Sequence, residues 1–201
     1  MKVKVSTLND EFDKELMILG VFFNDSEKGF QIREVSRILK INPTTIREYL
    51  NIFVKKGYLK VEERGVYPAY YSNINKKYTN LKAFYNLELI RKSGIVEFLE
   101  KEYSYPAIVL FGSFSSGTNN KNSDIDIFIL SEIKKEVLLE DFEKYLNKKI
   151  NLMIVDKKDF SRIKEKNPPL INNLIRGVVL SGELEILWHF KEWLNKDSQA
   201  E

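Results

Sequence analysis

The 201-residue chain has no cysteine and a single histidine. A disulfide framework and a thiolate metal site are therefore excluded, and a reducing, intracellular setting fits. Long apolar runs are missing too. The longest near the N-terminus, Leu16 to Phe23, is far short of the ~20 residues that span a bilayer. The opening MKVKVSTLNDEF lacks the apolar stretch of a signal peptide, so the expectation is a soluble, cytoplasmic chain with no membrane partner. Charge of one sign is in short supply as well, since a formal net charge of +3 identifies no partner by itself. What remains is enough apolar content, 43 %, to bury a core in one or two domains. No internal repeat or low-complexity segment is visible.

The distribution of charge says more than its sum. From Gln31 to Lys60 stand seven basic residues, Arg33, Arg37, Lys40, Arg47, Lys55, Lys56 and Lys60, against Glu34 and Glu48. Such a local excess is a footprint for a polyanion. The same region reads as helices. Phe12, Leu16, Ile18, Leu19, Phe22 and Phe23 form a stripe over Leu8 to Asn24, and Ile32, Val35, Ile38 and Leu39 mark a short second helix. Asn42-Pro43 is an N-cap followed by the favoured first-turn proline. It opens a third helix with Ile46, Leu50, Phe53 and Val54 inward and Gly57 as its stop. Tyr58–Val61 and Ala69–Ser72 then read as two strands with Arg64-Gly65 near the tip.

Three helices and a hairpin over about residues 8–74 resemble a winged helix-turn-helix. That resemblance implies a third helix lying in the major groove of double-stranded DNA. Thr44, Thr45, Arg47, Glu48 and Asn51 point away from the apolar face, with Arg64 on the wing. Thr44, Thr45, Arg47, Asn51 and Arg64 are the candidate DNA contacts. Glu48 among them repels phosphate. The same residues suit an ordinary solvated surface, a protein-docking face or a homodimer contact, and both readings stay open.

Asn75 to Glu102 is helical in period, broken at Ser93-Gly94. Residues 75–93 are read as a connector and 94–195 as a second domain, with 196–201 a polar tail. Tyr78, Phe84, Tyr85 and Tyr103 are read as packing residues rather than base-stacking ones. Further on, Lys134–Asn147 is expected to be an amphipathic helix, Lys149–Val155 a strand, and Lys157–Lys166 a charged helix. Another helix runs from Pro168-Pro169 to Arg176, with Gly177 and Ser181-Gly182 as punctuation. The only histidine, His189, sits beside Trp188, Phe190 and Trp193 in a terminal helix from Leu184 to Leu194. No second ligand or base is near it in sequence, so packing suits it better than catalysis.

The chemistry concentrates in AIVLFGSFSSGTNNKNSDIDIFIL, Ala107 to Leu130. An apolar run, Ala107 to Phe111, is a buried strand that Gly112-Ser113 ends, and Gly117 closes a small polar turn. A second strand carries Asp124 and Asp126 two residues apart. Alternation sends both carboxylates to one face and Ile125, Ile127 and Ile129 to the other. Paired carboxylates near a Gly-Ser turn with free N–H groups suit a divalent cation carrying phosphates. The plainer alternative is a turn with two solvated aspartates.

Gly112-Ser113, ten residues, then Asp124-Ile125-Asp126 resembles the signature of minimal nucleotidyltransferases of the DNA polymerase beta superfamily, over roughly residues 95–155. The resemblance implies an α+β fold, a small mixed sheet with flanking helices. It implies Gly112 and Ser113 on a nucleoside triphosphate, and Asp124 and Asp126 on Mg²⁺ or Mn²⁺. It also implies transfer of a nucleoside monophosphate to a hydroxyl, which in small antitoxin relatives belongs to a HEPN-type toxin. Two positions depart from the pattern. Asn151 stands where relatives have a third carboxylate, and Ser116 where many have an arginine. An amide ligates a cation weakly and takes no proton at neutral pH, so Asn151 is kept as a nucleotide-side residue. Asp156, about 16 Å further along an extended strand and on the opposite face by parity, does not replace it. The competing function is a DNA-binding regulator whose transferase-like domain senses nucleotide or merely pairs subunits.

Overall fold

The computed structural model of the protein describes residues 5–63 and 67–183. By its contacts the chain forms two compact units, Met1–Tyr85 with Gly117–Asn122, and Asn86–Ser116 with Ser123–Glu201.

In the first unit, α1 (Val5–Asn24), α2 (Ile32–Leu39) and α3 (Pro43–Lys55) precede a hairpin of β1 (Leu59–Glu62) and β2 (Ala69–Ser72). The apolar spacing does the work expected of it. Ile18, Leu19, Phe22 and Phe23 of α1, Val35 of α2, and Ile46, Leu50 and Phe53 of α3 share one core with Leu59 and Tyr70. Asn42 caps α3 by accepting the Thr44 N–H at 2.8 Å, and Gly57 leaves it in the left-handed region at φ +76°. Ile38, read as part of the α2 stripe, is instead exposed.

Helix α4 (Lys76–Ser93) ends at Gly94, whose φ of +74° starts α5 (Ile95–Glu102) in a new direction. Tyr78 and Tyr103 are buried, and Tyr85 packs on the first core, as expected of packing aromatics. Phe84 is exposed on one side, with Phe12 5.8 Å from it ring to ring.

The second unit is built on a four-stranded mixed sheet in the order β5-β4-β3-β6. Here β3 is Ala107–Phe111, β4 Ile125–Leu130, β5 Ile150–Val155 and β6 Val178–Ser181. Strands β3 and β4 are antiparallel, β4 and β5 parallel. Both sheet faces are covered, so β3 is apolar throughout. Ile108, Leu110, Ile125, Ile127 and Ile129 pack with Ile95 and Leu99 on one side. Val109, Phe128 and Val155 meet Phe160 of α8 (Lys157–Lys166) and Ile171 and Leu174 of α9 (Pro168–Ile175) on the other.

Two expectations need correction. The helix read from Lys134 to Asn147 is only α7, Glu140–Leu146. A helix would give the Lys135 carbonyl to residue 139, but Tyr103 Oη donates to it at 2.8 Å, and Lys134 is drawn to Asp156 and Asp159. The glycines read as punctuation in fact bracket β6, an antiparallel partner of β3. A Cβ at Gly177 would stand 2.7 Å from the Leu110 carbonyl oxygen, and one at Gly182 2.7 Å from that of Pro106. Those glycines let the backbones approach. Arg64 and the terminal helix with His189 lie outside the described residues. No described helix is long and apolar enough to cross a membrane.

Candidate active site at the end of the mixed sheet

The site forms where β3 stops. Gly112 takes φ +75°, a conformation glycine adopts without strain, and the chain winds into a short helical turn, α6 (Gly112–Ser116), rather than the open turn expected. Phe114 anchors that turn in the sheet core, and Asn86 Nδ2 donates to the Phe114 carbonyl at 2.8 Å. Ser115 and Ser116 donate their hydroxyls back to the Gly112 carbonyl at 2.9 and 3.2 Å. Ser116 thus caps its own turn where the resemblance puts an arginine.

Asp126 lies in β4, with Phe111 opposite it in β3 and Asn151 opposite it in β5. Asp124 falls one residue before the strand begins, a small shift from the expected placement. The neighbouring Ile125 N–H still donates to the Lys149 carbonyl at 2.9 Å, so the start of the strand is fixed. Strand parity puts Asp124, Asp126, Phe128 and, through the parallel register, Asn151 on one face. The apolar members of that face are buried, while the two aspartates are half-exposed at its end.

Asn151 ties the pair together. Its Nδ2 donates to Asp126 Oδ1 at 3.1 Å and Asp124 Oδ2 at 3.3 Å. Both partners are acceptors only, so the amide nitrogen must face them. On its far side Asp126 presses on Gly112, where a Cβ would stand 2.7 Å from Oδ2. The glycine is thus needed twice, for its backbone angle and for lack of a side chain. Burial pushes the Lys148 ammonium below its ordinary range, and the negative charge of Asp124 works in the opposite direction.

The structure therefore brings Gly112, Ser113, Asp124, Asp126 and Asn151 into one neighbourhood. Among the described residues no three His, Cys, Asp or Glu side chains gather as a metal site. Asp156 is engaged elsewhere. It caps α8 by accepting the Asp159 N–H at 2.7 Å, and Lys134, at 2.7 Å, holds its carboxyl below the usual carboxylate range.

Of the residues read as DNA contacts, Thr44, Arg47 and Asn51 are exposed on α3 and Thr45 is half-buried. Asn51 Oδ1 accepts from Tyr70 Oη at 3.3 Å. Part of the basic excess is neutralised locally, Lys56 by Glu15 at 2.6 Å and Lys60 by Glu62 at 3.1 Å. The sequence reading missed the buried polar pair on α4, Lys82 and Asn86. A lysine and an asparagine spaced in register with Tyr78 and Ile90 were the one available signal.

No curated protein and no solved structure matches the chain. Residues 93–184 match the family model described as polymerase beta, nucleotidyltransferase, a stretch that contains all five residues of this site and points to nucleotidyl transfer in general.

Proposed function

We propose that the second unit transfers a nucleoside monophosphate from a nucleoside triphosphate to an acceptor hydroxyl, with Mg²⁺ or Mn²⁺. The observation that carries this reading is the Asp124–Asn151–Asp126 bridge beside Gly112. Two carboxylates whose outer lone pairs face away from Asn151 fit a hard cation whose other ligands are phosphate oxygens. Asp124 and Asp126 are the residues that would hold it, and when bound it supplies neutralisation of charge on the triphosphate. With one carboxylate fewer than the resemblance implies, the cation and the nucleotide should bind together rather than separately.

The chain's own groups do the rest. Gly112 and Ser113 offer N–H groups and a hydroxyl to phosphate oxygens. Asn151 holds the two carboxylates at a fixed spacing, so little reorganisation is needed when substrate arrives. The acceptor oxygen attacks the α-phosphorus in line and pyrophosphate leaves. Asn151 cannot accept the hydroxyl proton, which passes to water. A protein hydroxyl, such as that of a HEPN-type toxin, fits the acceptor role in a cytoplasmic setting. The test is incubation with labelled triphosphates, Mg²⁺ or Mn²⁺ and a cognate partner protein. Label should appear on the partner, and its absence with every triphosphate would remove the reading.

A second reading is favoured by the exposed face of α3. Three helices and a hairpin support a winged helix-turn-helix that binds double-stranded DNA, in a chain that could act as a regulator or homodimer. Binding to its own promoter DNA should weaken as salt rises, and Arg47→Ala should cost about 1 kcal/mol or more. A gel-shift titration showing equal affinity for wild type and variant would contradict it.

A further inference from the structure

Strand β5 begins at Ile150, but its ladder with β4 reaches one residue further back, where the Ile125 N–H donates to the Lys149 carbonyl at 2.9 Å. The parallel register pairs Ile125 with Ile150 and Asp126 with Asn151, so the preceding step sets Lys149 beside Asp124. Residues two apart in an extended chain share a face, and Lys149 therefore stands on the face that carries Asp124, Asp126 and Asn151. All four belong to the second unit. Lys149 is exposed, and its ammonium has no hydrogen-bond or ion-pair partner among the described residues.

Its charge is the kind the site is short of. Two carboxylates and one divalent cation cancel, and a triphosphate bound with them leaves negative charge over. On the Gly112 side the chain offers amides and hydroxyls, and Ser116 there is uncharged. Asp126 turns Oδ2 to that side and Oδ1 to Asn151. Beyond Asn151, Lys149 is the cation that shares the face. A lysine stem spans about 6 Å, close to the roughly 6.6 Å between alternate residues of a strand, so its ammonium reaches over Asn151 to a ligand held by both carboxylates.

We propose that Lys149 contacts the phosphates of the bound nucleotide from the Asn151 side, as a point charge across from the Gly112–Ser113 turn. The inference rests on the nucleotide reading given above. Its test uses the full chain with Lys149→Gln, which removes the charge from an exposed position, and Lys149→Arg, which keeps it. Mn²⁺ alone, and Mn²⁺ with α,β-methylene-ATP, are titrated into each protein, and melting curves are taken beside them.

In Lys149→Gln affinity for the Mn²⁺-nucleotide should fall about tenfold, whereas affinity for Mn²⁺ alone should rise about twofold, because a positive charge beside Asp124 has gone. A merely structural role would move both affinities the same way. Lys149→Arg should hold nucleotide affinity within about threefold of wild type, and both variants should melt as wild type does. Unchanged nucleotide affinity in Lys149→Gln, for a wild type that binds, would overturn the contact alone. So would a parallel fall of both affinities, or an arginine variant as weak as the glutamine one. A wild type that fails to bind the probe would overturn the nucleotide reading and the contact with it.

Discussion

Asp126→Asn will lower nucleotidyl transfer by about 10²- to 10³-fold while leaving the fold intact. The position is central to the site by three independent contacts. Asp126 pairs with Phe111 and Asn151 across the sheet, accepts from Asn151 through Oδ1, and rests its Oδ2 on Gly112. An asparagine has the same shape and still fits between those neighbours. It removes one of the two charges that would face a cation and its phosphates. The loss should therefore appear in turnover and in cation affinity, and the thermal melt should barely move. Initial rates with a labelled triphosphate, measured beside a melting curve, check this. Equal rates in wild type and variant would show that the chemistry lies elsewhere.

Asn151→Asp is the more instructive substitution, because it makes the site look more like the resemblance and should make it worse when empty. The amide now donates to both aspartates at 3.1 and 3.3 Å. A carboxylate at the same position donates nothing and adds a third negative charge within reach of two others. Without a divalent cation the variant should lose about 1 kcal/mol of stability near neutral pH, a modest cost because the group is exposed. The sign follows from repulsion. One carboxyl is held above its unfolded pKa, so the deficit should grow as pH rises through the carboxylate range and shrink at low pH. Millimolar Mn²⁺ should reverse the loss, with cation affinity more than about tenfold above wild type. Melting curves with and without Mn²⁺ at two pH values are sufficient. A variant as stable as wild type without cation would mean that Asn151 is not the spacer described here.

How much of this was legible beforehand depended on whether neighbours in sequence carry the signal. The β3–turn–β4 stretch was readable because its partners are local. An apolar run, a glycine needing positive φ and an alternating Asp-Ile-Asp lie within 20 residues. Caps at Asn42 and Gly57 were readable for the same reason. The failures share a cause. Residues 134–139 have a helix-like pattern, but a tyrosine 32 positions away takes the Lys135 carbonyl. Strand β6 is four residues long, exists only through pairing with β3, and shows no alternation of its own.

The buried face of α4 was hidden in another way. Tyr78, Lys82, Asn86 and Ile90 follow one another at four-residue spacing and are all at most 2 % exposed. Half of that stripe is polar, so a search for apolar periodicity finds Tyr78 and Ile90 and passes over Lys82 and Asn86. Lys82 and Asn86 are buried because each donates to a backbone carbonyl far along the chain, at Asn119 and Phe114. Nothing in their local sequence announces those partners. The local segments were thus legible in the sequence, and the distant partners of Lys82 and Asn86 were not.

The most direct measurement is a crystal grown with Mn²⁺ and a non-hydrolysable triphosphate, with data collected at a wavelength where manganese scatters anomalously. A single strong anomalous peak touching the carboxylates of both Asp124 and Asp126, with phosphate oxygens beside Gly112 and Ser113, is the result this account requires. Millimolar ligand that leaves no peak between those two side chains would contradict it.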